Sequence, residues 1–66
     1  MDITLNGQIR SVPKDSSLQA LAEQYAKDTT RVVAELDGAI ITRDAWSRTA
    51  LKAGSKVELV TFVGGG

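Results

Sequence analysis

Two short dipeptides, Asn6-Gly7 and Asp37-Gly38, constrain this chain more than any other feature. A two-residue type I′ turn needs positive φ at both central positions, which Gly, Asn and Asp tolerate best, and its twist suits two antiparallel strands. Asp2 to Leu5 alternates polar and apolar residues, as a half-buried strand does, with Ile3 and Leu5 on one face. Gln8 to Val12 is the returning strand, closed by Pro13. With a two-residue turn, Leu5 lies opposite Gln8, Thr4 opposite Ile9 and Ile3 opposite Arg10. That register turns Ile9 away from Ile3 and Leu5 and puts Arg10 on the core side. Arg10 fits there on an edge strand, where its stem covers the core and its head reaches water. A bulge that exchanges the two faces is the alternative register.

Between the two turns lies one amphipathic helix. Ser16 to Gln19 fits a capping box, with Ser16 at the cap. Leu18, Leu21, Ala22 and Tyr25 then recur at the i, i+3, i+4, i+7 spacing, while Gln19, Glu23, Gln24 and Lys27 fall on the wet side. The helix is expected from about Ser17 to Ala26 or Lys27, ending in the Asp28-Thr29-Thr30 cluster. Tyr25 reads as a packing residue with its hydroxyl at the rim.

Arg31 to Leu36 is a third strand, with Val32, Ala34 and Leu36 on one face and Val33 and Glu35 on the other. Asp37-Gly38 turns it into a short fourth strand, Ala39 to Ile41. Thr42 is placed to cap a turn of helix through Trp46, the only indole, which is expected to roof one end of the core. Leu51 and the Ala53-Gly54-Ser55 turn lead to the last strand, Lys56 to Val63. There Val57 and Leu59 face one way, and Glu58, Val60 and Phe62 the other.

A hairpin that buries one face needs a matching stripe, and the helix supplies it. The predicted architecture is α+β: a four- to five-stranded mixed sheet with one helix across one face and a helical turn near Trp46. The first strand is expected beside the last, in the centre. Ile3, Leu5, Val12, Val32, Leu36, Val57 and Leu59 meet Leu18, Leu21 and Ala22 in the core. The uncovered face collects Ile9, Val33, Val60 and Phe62, and an apolar patch there marks a partner surface. Residues 1–63 form the domain and 64–66 a glycine tail.

Composition narrows the function. The chain has 66 residues with eight basic and eight acidic side chains, no His and no Cys. A balanced charge without a basic stripe argues against nucleic acid or an anionic membrane as partner. No run is long enough to span a bilayer, and the first residues lack a signal-peptide pattern, so a soluble cytoplasmic protein is expected. The commonest general base and the thiol nucleophile are both missing, and so short a chain has little room for a deep pocket. No bound cofactor or metal is expected, nor catalysis by this chain alone.

The final run, Val60-Thr61-Phe62-Val63-Gly64-Gly65-Gly66, passes from β-prone residues into three glycines. Glycines at an end have no side chain to pack and do not stabilise a fold. They are a frayed end, or a thread that presents the Gly66 carboxylate. Extended, three residues reach about 10 Å, enough to carry that carboxylate into a partner's buried site.

The order and spacing of these pieces resemble the ThiS family, small sulfur carriers with the ubiquitin-like β-grasp fold. The resemblance rests on Leu5-Asn6-Gly7, Val12-Pro13, Ser17-Leu18, Leu21, Leu36-Asp37-Gly38, Arg43, Trp46, Leu51, Gly54, Val57-Glu58-Leu59 and Phe62-Val63-Gly64-Gly65-Gly66. Arg10, where the family more often has an apolar residue, and Thr42, where it often has proline, depart from the pattern. The resemblance implies that a ubiquitin-activating-like adenylyltransferase spends ATP, bound by that partner and not by this chain, to adenylate Gly66. A sulfur donor system, usually a cysteine desulfurase, then converts Gly66 to a thiocarboxylate, and thiazole synthase takes the sulfur for thiamine. Gly64 and Gly65 would thread the partner's active site, while Val60, Phe62, Val63, Ile9 and Val33 dock outside it, on a free monomer. Three other readings stay open: a carrier serving molybdopterin or transfer-RNA thiolation, a ubiquitin-like modifier of other proteins, and a plain interaction module.

Overall fold

The computed structural model describes residues 1–62. Strands β1 (Asp2–Leu5) and β2 (Gln8–Ser11) form the first hairpin, followed by helix α1 (Leu18–Tyr25). Strands β3 (Val32–Leu36) and β4 (Ala39–Ile41) form the second hairpin, and β5 (Lys56–Thr61) closes the sheet. The strand order is β2-β1-β5-β3-β4, with β1 and β5 parallel and the other neighbours antiparallel. A mixed five-stranded sheet holding one helix against one face is the β-grasp arrangement that the resemblance implies.

Both turns adopt the conformation their residues dictate. Asn6 and Gly7 have φ of 49° and 81°, and Asp37 and Gly38 have φ of 51° and 88°. The first hairpin keeps the two-residue register, with Leu5 opposite Gln8, Thr4 opposite Ile9 and Ile3 opposite Arg10. No bulge intervenes. β2 is an edge strand with every residue exposed, so Arg10 is spared burial. Its guanidinium lies 5.6 Å above the centre of the Tyr25 ring and donates to Gln8 Oε1 at 2.7 Å. Tyr25, expected as a packing residue, is instead 41% exposed at the end of α1 and lies outside the core, with the Arg10 guanidinium as a neighbour, because the last turn of the helix runs past the sheet's covered face.

Two local expectations need correction. Ser17, not Ser16, caps α1: its hydroxyl oxygen accepts from the Ala20 N–H at 3.1 Å, while Ser16 Oγ donates to the Pro13 carbonyl. The backbone decides this, because Ser17 bridges to Ala50 and the Leu18 N–H donates to Thr49, which fixes where the helix begins. Thr42 stands at the cap of a six-residue 3-10 helix, Arg43–Arg48, but its side chain makes no cap bond; its carbonyl accepts from the Ala45 N–H. The polar cluster after α1 also forms a 3-10 turn, Thr29–Arg31, capped by the Asp28 carboxylate.

The core lies between the helix and one sheet face. Ile3, Leu5, Val12, Leu18, Leu21, Ala22, Val32 and Val57 are buried there together with Ala34, Leu51 and Trp46. Leu36 and Leu59 close its margin half-buried. Trp46 is 1% exposed, and its indole N–H donates to the Ile41 carbonyl at 2.9 Å. It roofs the core from the 3-10 helix and gives that irregular segment an apolar anchor. Each fully buried large side chain contributes roughly 1.5–3 kcal/mol by leaving water.

Candidate functional site

The site is built around β5, the central strand that leads toward the C-terminal glycines. Both hairpin turns are fastened to it. The Leu59 N–H donates to Asn6 Oδ1 at 2.8 Å, and Asn6 Nδ2 donates to the Leu59 carbonyl at 3.3 Å. The Asn6 side chain therefore acts as one more rung of ladder after β1 has ended at Leu5. At the other end of β5, Asp37 Oδ1 accepts from the Lys56 N–H at 2.9 Å, and the Asp37 N–H donates to the Lys56 carbonyl at 2.8 Å. Residues chosen for positive φ thus also satisfy backbone groups that no strand reaches.

Beyond Leu59, β5 is held from one side. Val60 pairs with Val33 and Thr61 with Val32, and the Phe62 N–H donates to the Arg31 carbonyl at 2.7 Å. Arg31 belongs to the Thr29–Arg31 turn, which is pinned by Asp28 and by Arg43, whose guanidinium donates to the Thr30 carbonyl at 2.6 Å. Hydrogen bonds from the Thr30 hydroxyl and N–H hold the Asp28 carboxyl below its ordinary value of 3.8, with the Arg31 and Arg43 charges adding to the effect. The root of the terminal segment rests on a locally braced turn.

The open face of the sheet follows the two-residue alternation. Val60 and Phe62 are 52% and 57% exposed, and Val33 is half-buried beside Val60. Ile40, 68% exposed, stands opposite Glu35 on β4, one row away from the Val33–Val60 pair on the same face. Glu35 and Glu58 face each other directly across β3 and β5 in the middle of the same face. Like charges directly opposite are unfavourable.

Ile9 shares that face but not that strip. It pairs with Thr4, and Thr4 with Lys56, four residues before Val60. At strand spacing this separates Ile9 from Val60 by about 13 Å along the sheet. Ile9 instead lines a separate hollow of about 510 Å³ with Met1, Asp2, Thr4 and Gly54. The structure therefore brings together Val33, Val60 and Phe62 and leaves Ile9 apart. The last strand, expected to run to Val63, ends at Thr61, with Phe62 just past it; Val63, Gly64, Gly65 and Gly66 lie outside the described residues.

Sequence reasoning missed three features of this region. Ile40 was within reach: pairing Leu36 with Ala39 across Asp37-Gly38 turns Ile40 outward, by the logic applied to the first hairpin. The clamps of Asn6 and Asp37 on β5 carry no local signal, because each joins segments far apart in the chain. The Glu35–Glu58 pair needs the β3–β5 register, which two separated strands do not announce. Among the described residues no three His, Cys, Asp or Glu side chains are grouped to hold a metal.

Comparison with known proteins places this arrangement. The ThiS family model matches residues 3–66. A thiazole synthase from Paramagnetospirillum magneticum is 29% identical over 66 residues, all of this chain and 20% of the relative, so the chain spans about one-fifth of that protein's length. The crystal structure of a thiamine biosynthesis protein (ThiS) from Geobacter metallireducens superposes with a TM-score of 0.84 at 31% identity, covering 100% of both chains. A solution structure of a thiamine biosynthesis protein from the same organism gives 0.81 at 30% identity, over 100% of this chain and 88% of that one. With the family pattern extending over nearly the whole sequence and the fold shared throughout, the chain belongs to the ThiS family.

Proposed function

We propose that this protein is a sulfur carrier of thiamine biosynthesis whose working group is the Gly66 carboxylate. The observation that carries the reading is the family match, which runs from residue 3 through Gly66 in a chain whose central strand leads toward those glycines. A carboxylate is a poor electrophile. A partner adenylyltransferase with bound ATP would let a Gly66 oxygen attack the α-phosphorus, forming an acyl-adenylate and releasing pyrophosphate. A persulfide formed through a cysteine desulfurase would then displace AMP to give an acyl disulfide, and a second thiol would cleave its S–S bond, leaving the thiocarboxylate on Gly66 and a disulfide on the sulfur donor. Thiazole synthase consumes that sulfur and returns the carboxylate. The similarity to a thiazole synthase of which this chain's counterpart forms one-fifth supports that client over molybdopterin or transfer RNA.

In this reading the chain is a protein co-substrate and not a catalyst. Gly64 and Gly65 pass through the partner's channel because they carry no side chains, and Val33, Val60, Phe62 and Val63 rest on the surface outside it. Ile9, at the other end of the sheet, contacts the partner only if the docked surface reaches across β1. The carrier is free, monomeric and cytoplasmic between these encounters.

The test is direct. Incubation with the adenylyltransferase, ATP and sulfide should raise the intact mass by one oxygen-for-sulfur exchange, and deleting Gly66 should abolish the gain with the fold intact. An unchanged mass overturns the carrier reading. Heavier lysine conjugates would assign the chain to the protein modifiers.

A further inference from the structure

Alternation along β5 turns the backbone groups of residues 58, 60 and 62 toward β3, as the Phe62 N–H bond to Arg31 shows. Residues 57, 59 and 61 turn toward β1. There the Val57 carbonyl accepts from the Asn6 N–H at 2.9 Å, and Leu59 exchanges both its groups with the Asn6 amide. β1 has then run out, since its pairing with β5 stops at Leu5 and Val57. Among the described residues no hydrogen bond reaches the Thr61 N–H or carbonyl from that side. A central strand thus becomes an open edge at the point where it leaves the domain.

The edge faces a groove of about 360 Å³ lined by Asn6, Gln8, Arg10, Tyr25, Leu59 and Thr61. Its far wall is the Arg10 guanidinium stacked on Tyr25. A strand edge with free donors and acceptors is a template for another extended chain. We propose that an extended segment of the protein that receives the terminus adds to the sheet here, pairing with Thr61 just past the Asn6 amide. This rests on the reading of the chain as a carrier that docks on a partner. The incoming strand continues the row that Asn6 begins, and a side chain with an acceptor, carboxylate or amide, meets the Arg10 guanidinium in the groove. A partner fits better than a second copy, because Thr61 directly precedes the segment that the carrier reading sends into the partner, so the partner's chain already lies alongside this edge when the terminus is bound. Such pairing aligns the terminal residues by their backbone, so the glycines enter the partner's channel in one register.

Thr61→Pro tests this on the backbone alone. It removes only an N–H that faces the open edge, and proline is tolerated in a strand when that side is unpaired. Thr61→Ala controls for the side chain. Binding to the activating adenylyltransferase is measured by calorimetry, with melting temperature followed in parallel. T61P is expected to melt close to T61A yet bind about five- to tenfold more weakly, the scale of one lost backbone hydrogen bond, while T61A binds as the parent. Equal binding by T61P and T61A overturns the proposal, as does an equal loss in both. If T61P fails to fold, hydrogen exchange on the parent chain decides: protection of the Thr61 amide on complex formation supports the edge, and unchanged exchange refutes it. A parent dimer that T61P dissociates would assign the edge to self-association and also refute it. Normal binding by T61P beside failure of Phe62→Asp rejects the edge but leaves the carrier reading intact; no binding by the parent chain rejects both.

Discussion

Replacing Asn6 by Gly isolates the clamp on β5. Glycine accepts the φ of 49° at this position without strain, so the substitution removes the side chain and little else from the folded state. Two hydrogen bonds to Leu59 are lost, one of 2.8 Å and a weaker one of 3.3 Å. Leu59 is half-buried, and water reaches the freed groups. The net loss for two such bonds is about 1–2 kcal/mol, and the added freedom of the unfolded glycine brings the total to roughly 1.5–2.5 kcal/mol. For a domain of 66 residues, total stability is of the order of 3–10 kcal/mol. The change should therefore lower the melting temperature by about 11–18 °C. Asn6→Asp separates the two bonds, because it keeps the acceptor for the Leu59 N–H and loses only the longer contact. Urea titration should rank the parent above N6D and N6D above N6G, with the Leu59 amide exchanging fastest in N6G. If N6G lies within about 0.5 kcal/mol of the parent, the range of surface substitutions without structural consequence, Asn6 is only a turn residue.

Three further perturbations address other parts of the account. Phe62→Asp should weaken adenylyltransferase binding while leaving the melting temperature nearly unchanged, because this ring is exposed; a large stability loss would place it in the core. Glu58→Lys turns the repulsion with Glu35 into an attraction and should stabilise the isolated domain by about 0.2–1 kcal/mol, read from urea titration, and a destabilised variant would contradict the register. The Asp28 carboxyl has a depressed folded-state value, so its contribution is present above the ordinary 3.8 and lost as pH falls through the lower folded value. Asp28→Asn should remove that part of the acid dependence, and an acid limb identical to the parent's would show that the Thr30 bonds do not matter.

The elements were legible because their signals are local. Asn6-Gly7 set the register of the first hairpin, and that register settled where Arg10 and Ile9 point. Leu18, Leu21 and Ala22 marked the buried face of α1, and Trp46 its roof. The cap was misplaced by one residue because Ser16 and Ser17 both have a hydroxyl, and the choice is made by the pairing of Ser17 with Ala50 across the fold. The same limit applies to the site. Alternation alone puts Val33, Val60, Phe62 and Ile9 on one face, but only the strand order shows that Ile9 stands at the opposite end. The clamps on β5 are long-range by nature: Asn6 and Leu59 are 53 residues apart in sequence. The braced turn at Asp28 reads from sequence as a polar loop, since its value comes from the Phe62 N–H that it receives through Arg31.

The most direct test of the account follows labelled sulfur. The chain is loaded with isotope-labelled sulfide by the adenylyltransferase and ATP, its C-terminal peptide is sequenced by mass spectrometry, and thiazole synthase with its substrates is then added. The account predicts the label on the terminal carbonyl of Gly66, followed by its disappearance from the peptide and recovery in the thiazole product. Label elsewhere in the chain, or label on Gly66 that thiazole synthase leaves in place, would contradict it.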